Sequence, residues 1–190
     1  MTSLEGCPKN VGSFNCSVND LTSLKGCPEK VYGTFICSDN KLTSLKYGPT
    51  LVENEYWCGM NNLTSLEGCP EKIKSKFSCS KNKLTSLKGG PKIVLDSYWC
   101  DYNELASLEG CPKDVKSFDC SVNKLTTLVG GPETVDGDFY CTNNQLETFD
   151  GFPKTISGKV FLAHNRFRNL HNIHKYLKSC MILDLYDNLV

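Results

Sequence analysis

LTSLKGCPEKVYGTFICSDNKL, residues 21–42, decides the fold, because nearly the whole chain is that sentence written again. Its opening leucine recurs at Leu42, Leu63, Leu84, Leu105, Leu125 and Leu146, a 21-residue period with one 20-residue step from Leu105 to Leu125. A fixed period of this length marks a stacked-repeat architecture, in which no unit buries its apolar face alone and each neighbour covers the last. A chain of 190 residues then holds about nine rungs of one elongated solenoid. Residues 1–145 are its regular repeats, and 146–190 a divergent repeat with a C-terminal cap.

The second half of each unit runs apolar, two or three residues, aromatic, any residue, Cys, two residues, Asn, any residue, Leu. The first copy reads Val11, Phe14, Cys16, Asn19, Leu21, and the second Val31, Phe35, Cys37, Asn40, Leu42. Phe14 and Cys16 alternate with Ser13, Asn15 and Ser17, so a short strand points the first pair inward and the second set outward. Asn19, Asn40, Asn61, Asn82, Asn103, Asn123, Asn144, Asn165 and Asn188 fall where the chain must leave the strand. An amide offers donors and an acceptor together, so stacked asparagines can satisfy the backbone of neighbouring turns.

These residues resemble the leucine-rich-repeat pattern L-x-x-L-x-L-x-x-N-x-L, with Val, Phe and Cys standing in for leucines. The resemblance is to the short bacterial class, which carries a proline before the core; Pro28, Val31, Phe35, Cys37, Asn40 and Leu42 occupy those places. Most copies insert one residue before the aromatic position, and Cys stands where that class usually has Val or Leu. The resemblance implies an α/β class by name but a mostly β fold: a right-handed curved solenoid with a parallel concave sheet of about nine short strands, an irregular convex side and a short capping helix. It implies no particular chemistry.

Formal net charge is zero, so no bulk field draws the chain to nucleic acid or anionic lipid. MTSLEGCP at the N-terminus already lies inside a repeat, without a leader, and no run of about 18 apolar residues exists, so a cytoplasmic setting without membrane contact is expected. The 12 cysteines follow the repeat: seven at the strand position (Cys16, Cys37, Cys58, Cys79, Cys100, Cys120, Cys141), four before a proline (Cys7, Cys27, Cys69, Cys111), and Cys180 alone. Buried unpaired Cys acts as a small hydrophobe. No C-x-x-C pair is present, so neither metal nor cofactor is expected, although a thiol-based metal or redox protein remains an alternative class.

Between residues 21 and 145 the units alternate. Those with Gly48, Gly90 or Gly131 before the proline carry YWC, YWC and FYC strands; those with Cys there carry FIC, FSC and FDC. Duplication of a two-repeat block accounts for this. The half-unit LTSLKGCPEK is too short and too rich in Gly and Pro for a helix and reads as extended turns with both leucines inward. Past residue 146, Leu170, Ile173 and Leu177 have helical spacing, predicting a short helix over 169–177, and Leu183, Leu185 and Asn188 restore one last strand. His171 and His174 share that helix, two ligands without a third. The first strand, near Ser13 to Ser17, has an open edge that a second copy of the chain could cover, a possible homodimer.

No catalytic motif is present: no phosphate-binding glycine loop and no nucleophile signature. A solenoid of this kind binds through the outward positions of its sheet. The column between aromatic and Cys reads Asn15, Ile36, Trp57, Ser78, Trp99, Asp119, Tyr140, Phe161, Asp184. Met60 and Tyr102 flank the tryptophans two residues past Cys. Ile36, Trp57, Met60, Trp99, Tyr102, Tyr140 and Phe161 are therefore the candidate partner-binding residues, since exposed aromatics with Met resemble the centre of a protein interface. A self-assembling structural component is the competing expectation.

Overall fold

A computed structural model of the chain describes residues 1–168 and 183–188. The helix expected over 169–177, its two histidines and Cys180 lie outside the described residues. Each rung contributes a two-residue strand at the aromatic position: β2 (Phe14–Asn15), β4 (Phe35–Ile36), β6 (Tyr56–Trp57), β8 (Phe77–Ser78), β10 (Tyr98–Trp99), β12 (Phe118–Asp119), β14 (Phe139–Tyr140), β16 (Val160–Phe161) and β17 (Leu183–Asp184). They pair in chain order as one parallel nine-stranded sheet. Equivalent residues lie opposite one another, so Trp57 is level with Ser78, Ser78 with Trp99, and Trp99 with Asp119.

The first apolar position of each unit, which the sequence shows only as an inward residue, forms a second strand on the flank. These are β1 (Asn10–Val11), β3 (Lys30–Val31), β5 (Leu51–Val52), β7 (Lys72–Ile73), β9 (Ile93–Val94), β11 (Asp114–Val115), β13 (Thr134–Val135) and β15 (Thr155–Ile156). They pair in three short runs. One break falls at the 20-residue step. There Val115 is one residue nearer its aromatic partner than Val94 is, and the Lys116 amide bonds to Asp96 O at 3.0 Å, two places beyond the Val94 carbonyl that the other rungs' pattern would use.

The core is a set of columns. Phe14, Phe35, Tyr56, Phe77, Tyr98, Phe118 and Phe139 stack with centroids 4.9–6.1 Å apart, within the range of favourable ring pairs. The strand cysteines are all buried, and several thiols donate to the carbonyl of the next rung, as Cys58 Sγ does to Ser78 O at 3.2 Å. This gives Cys a use that Val or Leu at that place would lack. Leucines at both ends of each L-x-x-L are buried, while Thr22, Thr43, Thr64, Thr85 and Thr126 are exposed.

The asparagines join rungs as expected. Asn40 Nδ2 donates to Cys37 O of its own turn (3.2 Å) and to Cys16 O of the preceding one (3.0 Å), and its Oδ1 accepts the Leu21 amide at 2.9 Å. The bond to the preceding turn and the accepted leucine amide recur from Asn61 to Asn165, although within its own turn Asn144 meets Cys141 Sγ rather than the Cys141 carbonyl. The residue before each asparagine is left-handed: Val18, Asp39, Met60, Lys81, Tyr102, Val122, Asn143, His164 and Asp187 have φ between 51° and 55°. That turn swings the chain off the sheet and holds the Met60 and Tyr102 side chains out.

Candidate binding face of the nine-stranded sheet

Strand alternation fixes which aromatics face out. Tyr56 and Tyr98 are fully buried, whereas their neighbours Trp57 and Trp99 stand on the open face, half-buried, with Ile36, Tyr140 and Phe161 in the same column. Met60 and Tyr102 are 50% and 52% exposed. All seven candidate residues therefore lie on one side of the sheet, on rungs running from Ile36 to Phe161.

Their packing is more specific than a stripe. Trp57 and Trp99 are two rungs apart, yet their rings meet at 5.3 Å above the small Ser78, which they leave only 5% exposed. The Trp57 indole N–H donates to Glu55 Oε2 at 2.9 Å, which sets the ring's orientation. A cleft of about 320 Å³ lies beside the pair, walled by Met60, Lys81 and Asp101. Farther along, Tyr140 and Phe161 stack nearly parallel at 4.7 Å, and the Tyr140 hydroxyl donates to Asp138 Oδ2 at 3.1 Å. The carboxylate two residues before the ring thus anchors the polar edge in both pairs.

Asp119 stands between the two pairs, level with Trp99 on one side and Tyr140 on the other. Its Oδ1 accepts the Ser121 amide at 2.9 Å. Burial pushes its carboxyl above the usual range; the Ser121 bonds pull it part of the way back, and the charge of Asp101 adds to the rise. Asp101 itself accepts the Ser80 hydroxyl. Sequence reasoning placed Asp119 in the outward column but singled out only its apolar neighbours. The signal was one acidic residue framed by large rings.

Charge elsewhere is largely matched between rungs. Eleven lysine–carboxylate bridges link neighbouring turns among the described residues, including Lys74–Glu53, Lys76–Glu55 and Lys154–Glu133. Lys74 and Lys76 on one rung and Glu133 on another are therefore partly neutralised. Asp101, Asp119 and Asp138 take part in no such bridge. A second cleft, of about 300 Å³, opens on the flank at the 20-residue step beside Leu95 and Val115.

The thiols bear on the alternative chemistry. Burial pushes Cys16 and Cys27 up to about 12, and Cys37, Cys58, Cys79 and Cys100 upward as well. A thiol so held is protonated and a poor nucleophile or metal ligand at neutral pH. Among the described residues no group of three or more His, Cys, Asp or Glu is placed to hold a metal ion, and no helix is long and apolar enough to cross a membrane.

No protein-family profile matches the chain, and no curated protein matches it in sequence. Among solved structures it is similar to YopM, a leucine-rich effector protein from Yersinia pestis, at 19% identity and a TM-score of 0.56, covering 90% of this chain and 53% of that one. YopM from Yersinia enterocolitica WA-314 aligns at 18% identity and a TM-score of 0.47, over 92% of this chain and 50% of that one. The chain thus spans about half the length of both. At this identity the likeness is one of fold.

Proposed function

We propose that this leucine-rich-repeat solenoid is a non-catalytic binding module that holds a protein partner on the open, concave face of its nine-stranded sheet. The observation that carries the reading is the Trp57–Trp99 pair, with Met60 and Tyr102 exposed beside it. Large rings on a face with no covering layer among the described residues, oriented by Glu55 and Asp138, match the chemistry of interface anchors. They lie where such a fold presents its free side chains.

The finer reading is an adaptor or inhibitor of microbial or phage origin that acts on a host protein inside a cell. It rests on the resemblance to the short bacterial class of leucine-rich repeat, on the fold shared with a bacterial effector, and on thiols held protonated in the core. The test is affinity capture from cytosol with the wild-type chain beside a Trp57→Ala, Trp99→Ala double variant. A protein retained by the former and lost from the latter supports the reading, since true anchors cost about 2 kcal/mol or more each when truncated. Equal retention moves the site off this face. A mass that rises with concentration, and no partner, favours self-assembly.

A further inference from the structure

The open face carries two aromatic pairs that turn away from each other. Trp99 closes onto Trp57 over Ser78, Tyr140 closes onto Phe161, and no ring contact joins Trp99 to Tyr140. The rung between them carries Asp119. Two strand spacings of about 4.8 Å separate the flanking rungs by roughly 10 Å. At Ser78 an equal separation is closed by the tryptophans themselves; at Asp119 no ring contact closes it, and a partly buried carboxylate lies between the pairs.

Such a gap suits a cation. It is wider than the roughly 7 Å at which two rings sandwich a flat group, but a cation entering it can lie against one ring face, and aromatic faces attract cations. Asp119 is largely buried, without a basic partner, and Asp101 and Asp138 sit on the rungs to either side, also unbridged. Of the lysines nearby, Lys116 reaches Asp96, Lys81 lies over the Tyr102 ring at 5.7 Å, and Lys159, whose backbone amide donates to Asp138, forms no salt bridge among the described residues. Asp119 between the aromatic pairs, with Asp101 and Asp138 on the flanking rungs and none of the three in a salt bridge among the described residues, is complementary to a positive group brought by the partner.

We infer that the partner is a protein segment that inserts an arginine or lysine side chain between the Trp99 and Tyr140 rings onto Asp119, with apolar residues on either side of it against the two aromatic pairs. This rests on the reading of the open face as the binding face and names the chemistry it selects. Arginine fits better than lysine, because its planar guanidinium can stack on rings and pair bidentately with a carboxylate at once.

The experiment is selection from a phage-displayed library of random dodecapeptides on the full immobilised chain. Synthetic versions of the recovered peptides are then titrated against wild type, Asp119→Asn and the Trp57→Ala, Trp99→Ala variant. Asparagine is tolerated at this register position: Asn15 occupies it in the first rung and accepts the Ser17 amide at 2.9 Å, as Asp119 does that of Ser121. Expected are peptides with a basic residue flanked by apolar ones, weakened about tenfold or more by Asp119→Asn and equally by changing that basic residue to glutamine. Peptides that need the tryptophans but carry no basic residue, or bind Asp119→Asn as tightly, overturn the cation assignment and leave the open-face reading standing. Peptides indifferent to the tryptophans, or no binder at all, overturn both.

Discussion

A side-chain carbon placed on Gly90 would stand 3.4 Å from the Tyr98 hydroxyl, and the same relation joins Gly48 to Tyr56. In the rungs where Cys27, Cys69 and Cys111 precede the proline, the ring is Phe35, Phe77 or Phe118 and has no hydroxyl. The alternation of Gly and Cys along the chain is thus a volume exchange: the tyrosine oxygen occupies room that the cysteine side chain takes elsewhere. Gly131 goes with Phe139, and there the Phe152 ring packs against it at 5.3 Å.

Neither buried hydroxyl has a well-formed hydrogen bond; Tyr98 stands among the thiols of Cys79, Cys111, Cys100 and Cys69. Tyr98→Phe should therefore be neutral to stabilising, by up to about 1 kcal/mol, because an unsatisfied buried donor is removed. Gly90→Cys should destabilise by about 1–3 kcal/mol through overpacking against Leu66 and the hydroxyl. In the Tyr98→Phe background the loss should shrink by about 0.5 kcal/mol or more. Urea midpoints of the four proteins close the cycle, and strict additivity would refute the exchange.

Asn82 makes the joint between its rungs through Nδ2 bonds to Cys58 O (3.1 Å) and Cys79 O (3.0 Å), while Oδ1 accepts the Leu63 amide at 2.9 Å. Asn82→Leu keeps the volume but leaves those buried backbone groups unpaired, each worth about 1–3 kcal/mol. A loss of several kcal/mol by denaturant unfolding is expected, larger than for the exposed neighbour Lys83→Leu, which should stay within about 0.5 kcal/mol.

The period, the inward columns and the asparagine joints were legible because each repeats and each has a fixed physical task. Facing was legible too, since placing Cys58 in the core forces Tyr56 in and Trp57 out. The flank strands were not. Val31 and Ile73 read as single inward residues, and a two-residue strand carries no alternation to betray it. The site was half legible. Sequence assigned Trp57, Trp99, Tyr140 and Phe161 to one column, but which rings meet depends on side-chain rotation, so the opening at Asp119 emerged only from the pairing of Trp57 with Trp99 and of Tyr140 with Phe161.

The thiol columns predict alkaline behaviour. Burial raises Cys37, Cys58, Cys79, Cys100 and Cys120 well above the ordinary thiol value, and Cys16 up to about 12. The unfolded chain, with thiols near 8.5, loses these protons first as pH rises. Stability is therefore full below about pH 8.5 and falls from there toward pH 12, each thiol charged only in the unfolded chain adding a slope of about 1.4 kcal/mol per pH unit. Cys79→Val should flatten the slope by about one proton in urea titrations between about pH 8.5 and 10. An unchanged slope would mean that the native thiol ionises freely.

Asp119 should weaken the fold it serves. Its carboxyl is raised in the native state, first by burial and further by Asp101, and it forms no salt bridge with a lysine among the described residues, while Asp138 lies on the next rung beside Tyr140. The native state thus holds this proton more tightly than the unfolded chain, whose aspartates titrate near 3.9. The carboxyl's contribution is most favourable below about pH 3.9 and declines as pH rises through the raised native value. Glu71, Glu104 and Glu133, lowered by hydrogen bonds and charge from lysines, run the other way, so the difference between two proteins is the quantity to measure. Asp119→Asn should be the more stable at pH 7, with the gap closing toward about pH 4 in paired thermal melts. An arginine-bearing peptide should raise the melting temperature of wild type and leave that of the variant nearly unchanged, because only the carboxylate gains a counter-charge. A residue that costs stability alone and returns it when a cation arrives is what a binding face would retain; equal melts at pH 7 would show that Asp119 is already satisfied by Ser121.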